Sequence, residues 1–202
     1  MRISGWAVLD VLLAGPIVLF ALAAPAPAAE PALSLHAFAM NFTGVGSGGS
    51  GDLDIVIERW STDEERDALK DALAVKGGGA LLPALQKMTP RAGTIQVKPR
   101  MGREQGTETT WDVQFARSAP LPDGGRRVVL ATGRPLSKAE RTRYRRSADY
   151  EFLLVDIRLD KNGKGEGKTA DGTRVIYNKE TGSLEVEKYA VAPVKLIKIQ
   201  AF

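Results

Sequence analysis

Tyr150-Glu151-Phe152-Leu153-Leu154-Val155-Asp156-Ile157-Arg158-Leu159, running on into Asp160-Lys161-Asn162-Gly163, is the stretch on which the architecture rests. Side chains of an extended chain alternate between two faces, which sets Phe152 and Leu154 on one side and Leu153, Val155, Ile157 and Leu159 on the other. A strand whose first half is apolar on both faces needs cover on both, and so belongs inside a sheet. Asn162-Gly163 directly after it is a type I′ hairpin signal, which predicts that residues 163–168 fold back alongside.

The same reading extends in both directions. Towards the C-terminus, strands are predicted at 173–178, 184–189 and 194–199, with Asp171-Gly172, Thr181-Gly182 and Ala192-Pro193 marking the connections. Towards the N-terminus, the apolar run at 127–132 is joined through Leu121-Pro122-Asp123-Gly124-Gly125 to a strand with Trp111, Val113 and Phe115 on one face. A short strand is predicted at 94–98. Before it, Ser61-Thr62-Asp63-Glu64 reads as a helix start in which Ser61 caps and Glu64 bonds back. Ala68, Leu69, Ala72, Leu73 and Val75 give that helix an apolar face, Gly77-Gly78-Gly79 ends it, and a second short helix is predicted at 80–87. Residues 33–45 and 52–60 are read as two more strands, separated by a glycine-serine tract at 44–51. About ten strands and two helices follow, an α+β class with a mainly antiparallel sheet. Barrel and sandwich are the two ways in which such a sheet can close, and the two short amphipathic helices sit near its N-terminal third.

Residues 1–28 read as a signal peptide: Met1-Arg2, an apolar run from 11 to 24 interrupted by Gly15-Pro16, then Ala24-Pro25-Ala26-Pro27-Ala28-Ala29. Ala26 and Ala28 place the processed start near Ala29, with Ala23 the earlier alternative. The expected organisation is thus a signal peptide at 1–28, an N-terminal strand and loop at 29–51, and a single β-rich domain at 52–202. The expected location is periplasmic or secreted, with no transmembrane span in the processed chain. The chain has no cysteine, which excludes disulfides, thiol nucleophiles and thiolate metal sites, so the fold must stand on core burial.

The 28 Lys and Arg exceed the 24 Asp and Glu, and the surplus is concentrated. Arg126, Arg127, Arg134, Lys138, Arg141, Arg143, Arg145 and Arg146 face a single Glu140 between them, and the rest of the processed chain is net negative. Such a segment attracts anions, so these eight residues form the candidate binding set. The partner expected is an anionic envelope component or an acidic protein. Nucleic acid is not expected, because stacking aromatics are few.

Three stretches, Ile57-Glu58-Arg59-Trp60-Ser61-Thr62-Asp63-Glu64-Glu65-Arg66, Gly124-Gly125-Arg126-Arg127-Val128-Val129-Leu130-Ala131-Thr132-Gly133-Arg134-Pro135 and Arg146-Ser147-Ala148-Asp149-Tyr150, together resemble an uncharacterised family of bacterial exported proteins. The resemblance implies one exported domain and carries no catalytic or binding residue.

Few chemistries have their parts. His36 is the only histidine, so His-based triads and zinc sites lack components. No cofactor is expected. A calcium loop is a weak alternative at Asp160, Asn162 and Asp171, with the cation Lys164 at a ligand position against it. Trp60, Trp111 and Tyr150 read as sheet anchors. A non-enzymatic binding or accessory module is the leading reading. A carboxylate-based hydrolase of envelope or extracellular glycans and a structural partner subunit are the alternatives.

Overall fold

The computed structural model describes residues 30–42, 49–99, 109–134, 152–171, 174–178, 183–188 and 194–202. The predicted signal peptide and Tyr150 lie outside them. Eight antiparallel strands close into a barrel in the order β1-β10-β7-β6-β5-β4-β3-β2. Their ranges are β1 (Leu33–Phe42), β2 (Gly49–Ile57), β3 (Gly93–Pro99), β4 (Thr109–Pro120), β5 (Arg126–Thr132), β6 (Leu153–Leu159), β7 (Lys164–Asp171) and β10 (Val194–Ala201). β8 (Arg174–Asn178) and β9 (Ser183–Lys188) make a separate two-stranded hairpin, while α1 (Asp63–Lys76) and α2 (Leu81–Gln86) lie between β2 and β3. The α+β class holds, and the barrel is the closure realised. β1, read from the sequence as a region apart, is the closing strand, paired with both β2 and β10. The glycine-serine tract is only partly a loop, since Gly49–Gly51 opens β2 and Gly51 pairs with Ala39 and Pro99.

The interior is filled. Leu35, Leu53, Ile55, Ile95, Leu130, Leu153, Ile157 and Leu196 are at most 2 % exposed and meet in one cluster. An eight-stranded barrel is just wide enough for side chains to fill it, and the gap left among Leu53, Trp111, Val155 and Thr169 admits no water-sized sphere.

A second cluster lies outside the wall. Leu69 and Leu73 of α1 and Leu81 and Leu85 of α2 pack on Phe115, Ala131 and Phe152. A β-bulge in β4 between Val113 and Phe115 makes this possible. Strict alternation would carry Phe115 inward with Trp111 and Val113. The extra residue, Gln114, instead turns Phe115 out to the helices and brings Ala116 inward opposite Leu130.

The two ends of the barrel differ. At one end β4–β5 and β6–β7 are joined by tight turns. Gly124 and Gly163 take φ values of 83° and 74°, and their N–H groups donate to Leu121 and Asp160 carbonyls at 3.0 and 3.1 Å. Both are three-residue loops with a left-handed glycine in the bulge position. The type I′ turn expected at Asn162-Gly163 is therefore not formed. Asn162 does not have positive φ, and its N–H is held at 2.8 Å by the Asp160 carboxylate instead. At the opposite end lie Phe42, Gly49, Pro99, Thr109, Thr132, Leu153, Asp171 and Val194, as the strand registers require. Four strand connections, residues 43–48, 100–108, 133–152 and 172–193, start and finish there, whereas the connection that carries α1 and α2, residues 58–92, leaves β2 at Ile57 and enters β3 at Gly93, at the other end of that strand pair. Among the described residues no helix is long and apolar enough to cross a membrane.

Candidate functional site

The loop end of the barrel carries the connection in which most of the candidate basic residues lie. Loops positioned by a rigid scaffold are where binding residues concentrate. The connection 133–152 contains Arg134, Lys138, Arg141, Arg143, Arg145 and Arg146. Its two stems are anchored on the rim. The Gly133 N–H donates to Gln114 Oε1 at 2.6 Å, Gln86 Nε2 donates to the Gly133 carbonyl at 3.1 Å, and the Leu153 N–H donates to Thr132 Oγ1 at 3.2 Å. Arg134 lays its guanidinium over Trp111, 4.8 Å from the ring centroid, a cation–π contact at the mouth of the filled interior.

The three described residues of the basic set, Arg126, Arg127 and Arg134, do not form one cluster. Arg126 and Arg127 start β5 at the turn end, and Arg134 follows its other end, about 20 Å away at the rise of a strand. Arg127 is bonded to Asp156 by Nε–Oδ1 and Nη2–Oδ2 contacts of 2.9 Å each, so its charge is matched within the wall. Lys138, Arg141, Arg143, Arg145 and Arg146 lie outside the described residues. Trp111 as the seat for Arg134 is the feature that sequence reading missed, because it needs the curvature that brings the start of β4 beside the end of β5.

The residues of the calcium alternative, Asp160, Asn162 and Asp171, are divided between the turn before β7 and its far end. The Asp160 carboxylate accepts from the N–H groups of Asn162 and Lys164 at 2.8 and 2.9 Å, which holds its pKa below the ordinary aspartate value. Asp171 pairs with Leu153 at the loop end while Asp160 closes the turn end, so the strand β7 separates them. Among the described residues no group of three or more metal-binding side chains converges.

The stretch Ile57–Arg66 turns out to be a joint. Thr62, one residue later than expected, caps α1, and Glu65 rather than Glu64 completes the capping box. Ser61 is taken by the barrel: its N–H donates to the Ala116 carbonyl at 2.7 Å and its Oγ accepts the Ala116 N–H at 3.0 Å. Glu65 also receives both Nη groups of Arg59, at 2.9 and 2.7 Å, and Arg59 Nε reaches the Pro90 carbonyl at 3.1 Å. One arginine thus ties the helix start to the chain entering β3. Nearby, Arg91 bridges Glu58 and Asp112, both at 2.9 Å.

These contacts bear on acid–base chemistry. A general acid in a glycosidase needs a carboxyl pushed up towards neutrality, whereas the displaced carboxyls of the described residues all move down. The Arg59 hydrogen bonds hold Glu65 low against the opposing effect of burial. At Asp54 burial pushes upward, and hydrogen bonds from Lys98 and His36 outweigh it. His36 itself stands half-exposed on β1, its Nδ1 2.7 Å from Asp54 Oδ1. Asp67 is lowered by Arg66 and Glu64 by Thr62.

A folded pKa below the unfolded value gives stability that is present above pH ~4 and lost as pH falls through the folded value. Unfolding free energy is therefore expected to drop between about pH 4 and pH 2, and Glu65→Gln should remove on the order of 1 kcal/mol of that drop. Urea titrations of both proteins at pH 6 and pH 2.5 give the comparison, and an equal drop in the two would contradict the assignment.

Comparison with protein-family models, with curated proteins and with solved structures finds no match to this chain.

Proposed function

We propose that the chain is an exported binding or accessory module that recognises anionic groups of an envelope component through the Arg-rich connection at the loop end of its barrel. The observation that carries this reading is the pairing of a filled interior with an anchored rim. A barrel without internal space for a ligand leaves recognition to its outside. The connection richest in cations is rooted there by Gln114, Gln86, Thr132 and the Arg134–Trp111 contact. Guanidinium groups suit sulfate, phosphate and carboxylate partners because they donate in pairs. Export is supported by the order of charged, apolar and small residues at 1–28. A hydrolase finds no support in carboxyls that are lowered rather than raised.

Heparin serves as a polyanion to test the reading. Arg141, Arg143, Arg145 and Arg146 replaced together by Ser should bring elution to markedly lower salt, since four cations leave one connection. Elution of this variant at the salt concentration of the parent would overturn the proposal.

A further inference from the structure

A second cationic surface lies on the barrel wall itself. Among the described side chains of β7 and β10, the exposed ones include Lys164, Lys168, Lys195 and Lys198 against one acid, Glu166. Glu166 pairs with Lys195 at 3.5 Å, and none of the other three lysines forms an ion pair with a described residue. Asp156, across from Lys168 on β6, is already bonded to Arg127.

Two features of this wall work against the fold. Lys168 and Lys195 stand directly opposite each other in the β7–β10 ladder, and like charges in that position repel. Lys198 sits in a bulge of β10 with φ 52°, a left-handed conformation that glycine would take without strain. Folding explains neither choice, and a demand for positive charge on this face explains both.

Apolar side chains adjoin the lysines. On β1 next to β10, Phe38 pairs with Ile197 and Met40 pairs with Lys195. Phe38 and Ile197 are half-buried, and Met40 is 42 % exposed.

We propose that the outer face of β7, β10 and β1 docks the protein side-on against an anionic lipid bilayer. A convex barrel meets a plane along a strip two or three strands wide, about 10–15 Å at the spacing of neighbouring strands, and these three neighbours supply it. The lysines reach lipid phosphates while Phe38, Ile197 and Met40 enter the headgroup layer between them. A soluble polyanion would use the charges and leave the apolar groups without a role. The surface is distinct from the Arg-rich connection.

Binding of the full chain is measured by co-sedimentation with vesicles of phosphatidylcholine alone and of phosphatidylcholine with phosphatidylglycerol. The readout is the difference between the two, which an apolar N-terminal anchor does not create. The parent should prefer the anionic vesicles by at least about tenfold, and Lys168→Glu with Lys195→Glu should cut that preference at least about fivefold, the Arg-rich connection accounting for what remains. Lys198→Gly should weaken binding to anionic vesicles while Tm stays level or rises, a combination that damage to the fold cannot produce. The four-arginine variant should keep most of the preference. An undiminished preference in the Lys168→Glu, Lys195→Glu protein overturns the inference. Loss of heparin retention by that protein with vesicle binding unchanged overturns it in favour of a soluble polyanion.

Discussion

Gly165→Ala is expected to destabilise the folded protein by about 3 kcal/mol or more. A Cβ at Gly165 would stand 1.9 Å from the Arg158 carbonyl oxygen, 2.8 Å from its carbon and 3.1 Å from the Leu159 Cα. All three are backbone atoms of the neighbouring strand β6, held in a ladder that cannot swing aside as a side chain would. Gly165 and Gly167 face Leu159 and Ile157 across that ladder, so the missing side chains let β7 close on β6. Gly79 provides the control. No atom lies within 4 Å of a Cβ built there, and Gly79→Ala should be neutral or stabilise by up to about 1 kcal/mol. Urea titration of the two variants makes the comparison, and similar midpoints would mean that β6 and β7 are not packed as described.

Phe115→Ala is the second large effect, about 3–5 kcal/mol for deletion of a buried aromatic. Phe115 is 6 % exposed and lies under Leu69, Leu73, Leu81 and Leu85. Since it belongs to the helix pad and not to the barrel interior, its loss should act locally. Amides of α1 and α2 should exchange faster by hydrogen exchange while those of β2 and β3 keep their protection. Equal acceleration throughout would place Phe115 in the barrel core and contradict the bulge at Gln114.

The contrast between these two sites shows what the sequence makes legible. Strands announce themselves through alternation, as in Leu153, Val155, Ile157 and Leu159, all of which face inward in one cluster. Both helices and the positions of both glycine turns were readable from local signals, although the turn at Asn162-Gly163 is a three-residue loop and not the type I′ turn expected there. Closure was not, because it rests on β1 pairing with β10 across nearly the whole chain. The bulges were not legible either. Gln114 carries no turn signal, and Lys198 takes a left-handed φ where glycine or asparagine would have announced it. The helix cap is one residue later than the local pattern suggests. Ser61 and Thr62 can both cap and Glu64 and Glu65 can both answer, and the choice falls to tertiary partners, Ala116 for Ser61 and Arg59 for Glu65.

The candidate site divides in the same way. Clustered cations were visible along the chain, yet charge counts do not report where strands carry them. Arg127 is matched by Asp156 in the wall, whereas lysines scattered between residues 164 and 198 come together on adjacent strands. Arg59, inside a stretch that looked distinctive, serves to join α1 to β3.

Recognition at the loop end is the central claim, and amide chemical shifts map it most directly. On titration with a heparin tetrasaccharide, shifts should concentrate at the strand ends around Phe42, Pro99, Thr109, Arg134 and Leu153, while the turns at Leu121–Gly125 and Asp160–Lys164 stay still. Shifts centred on those turns, with the loop end unmoved, would contradict the account.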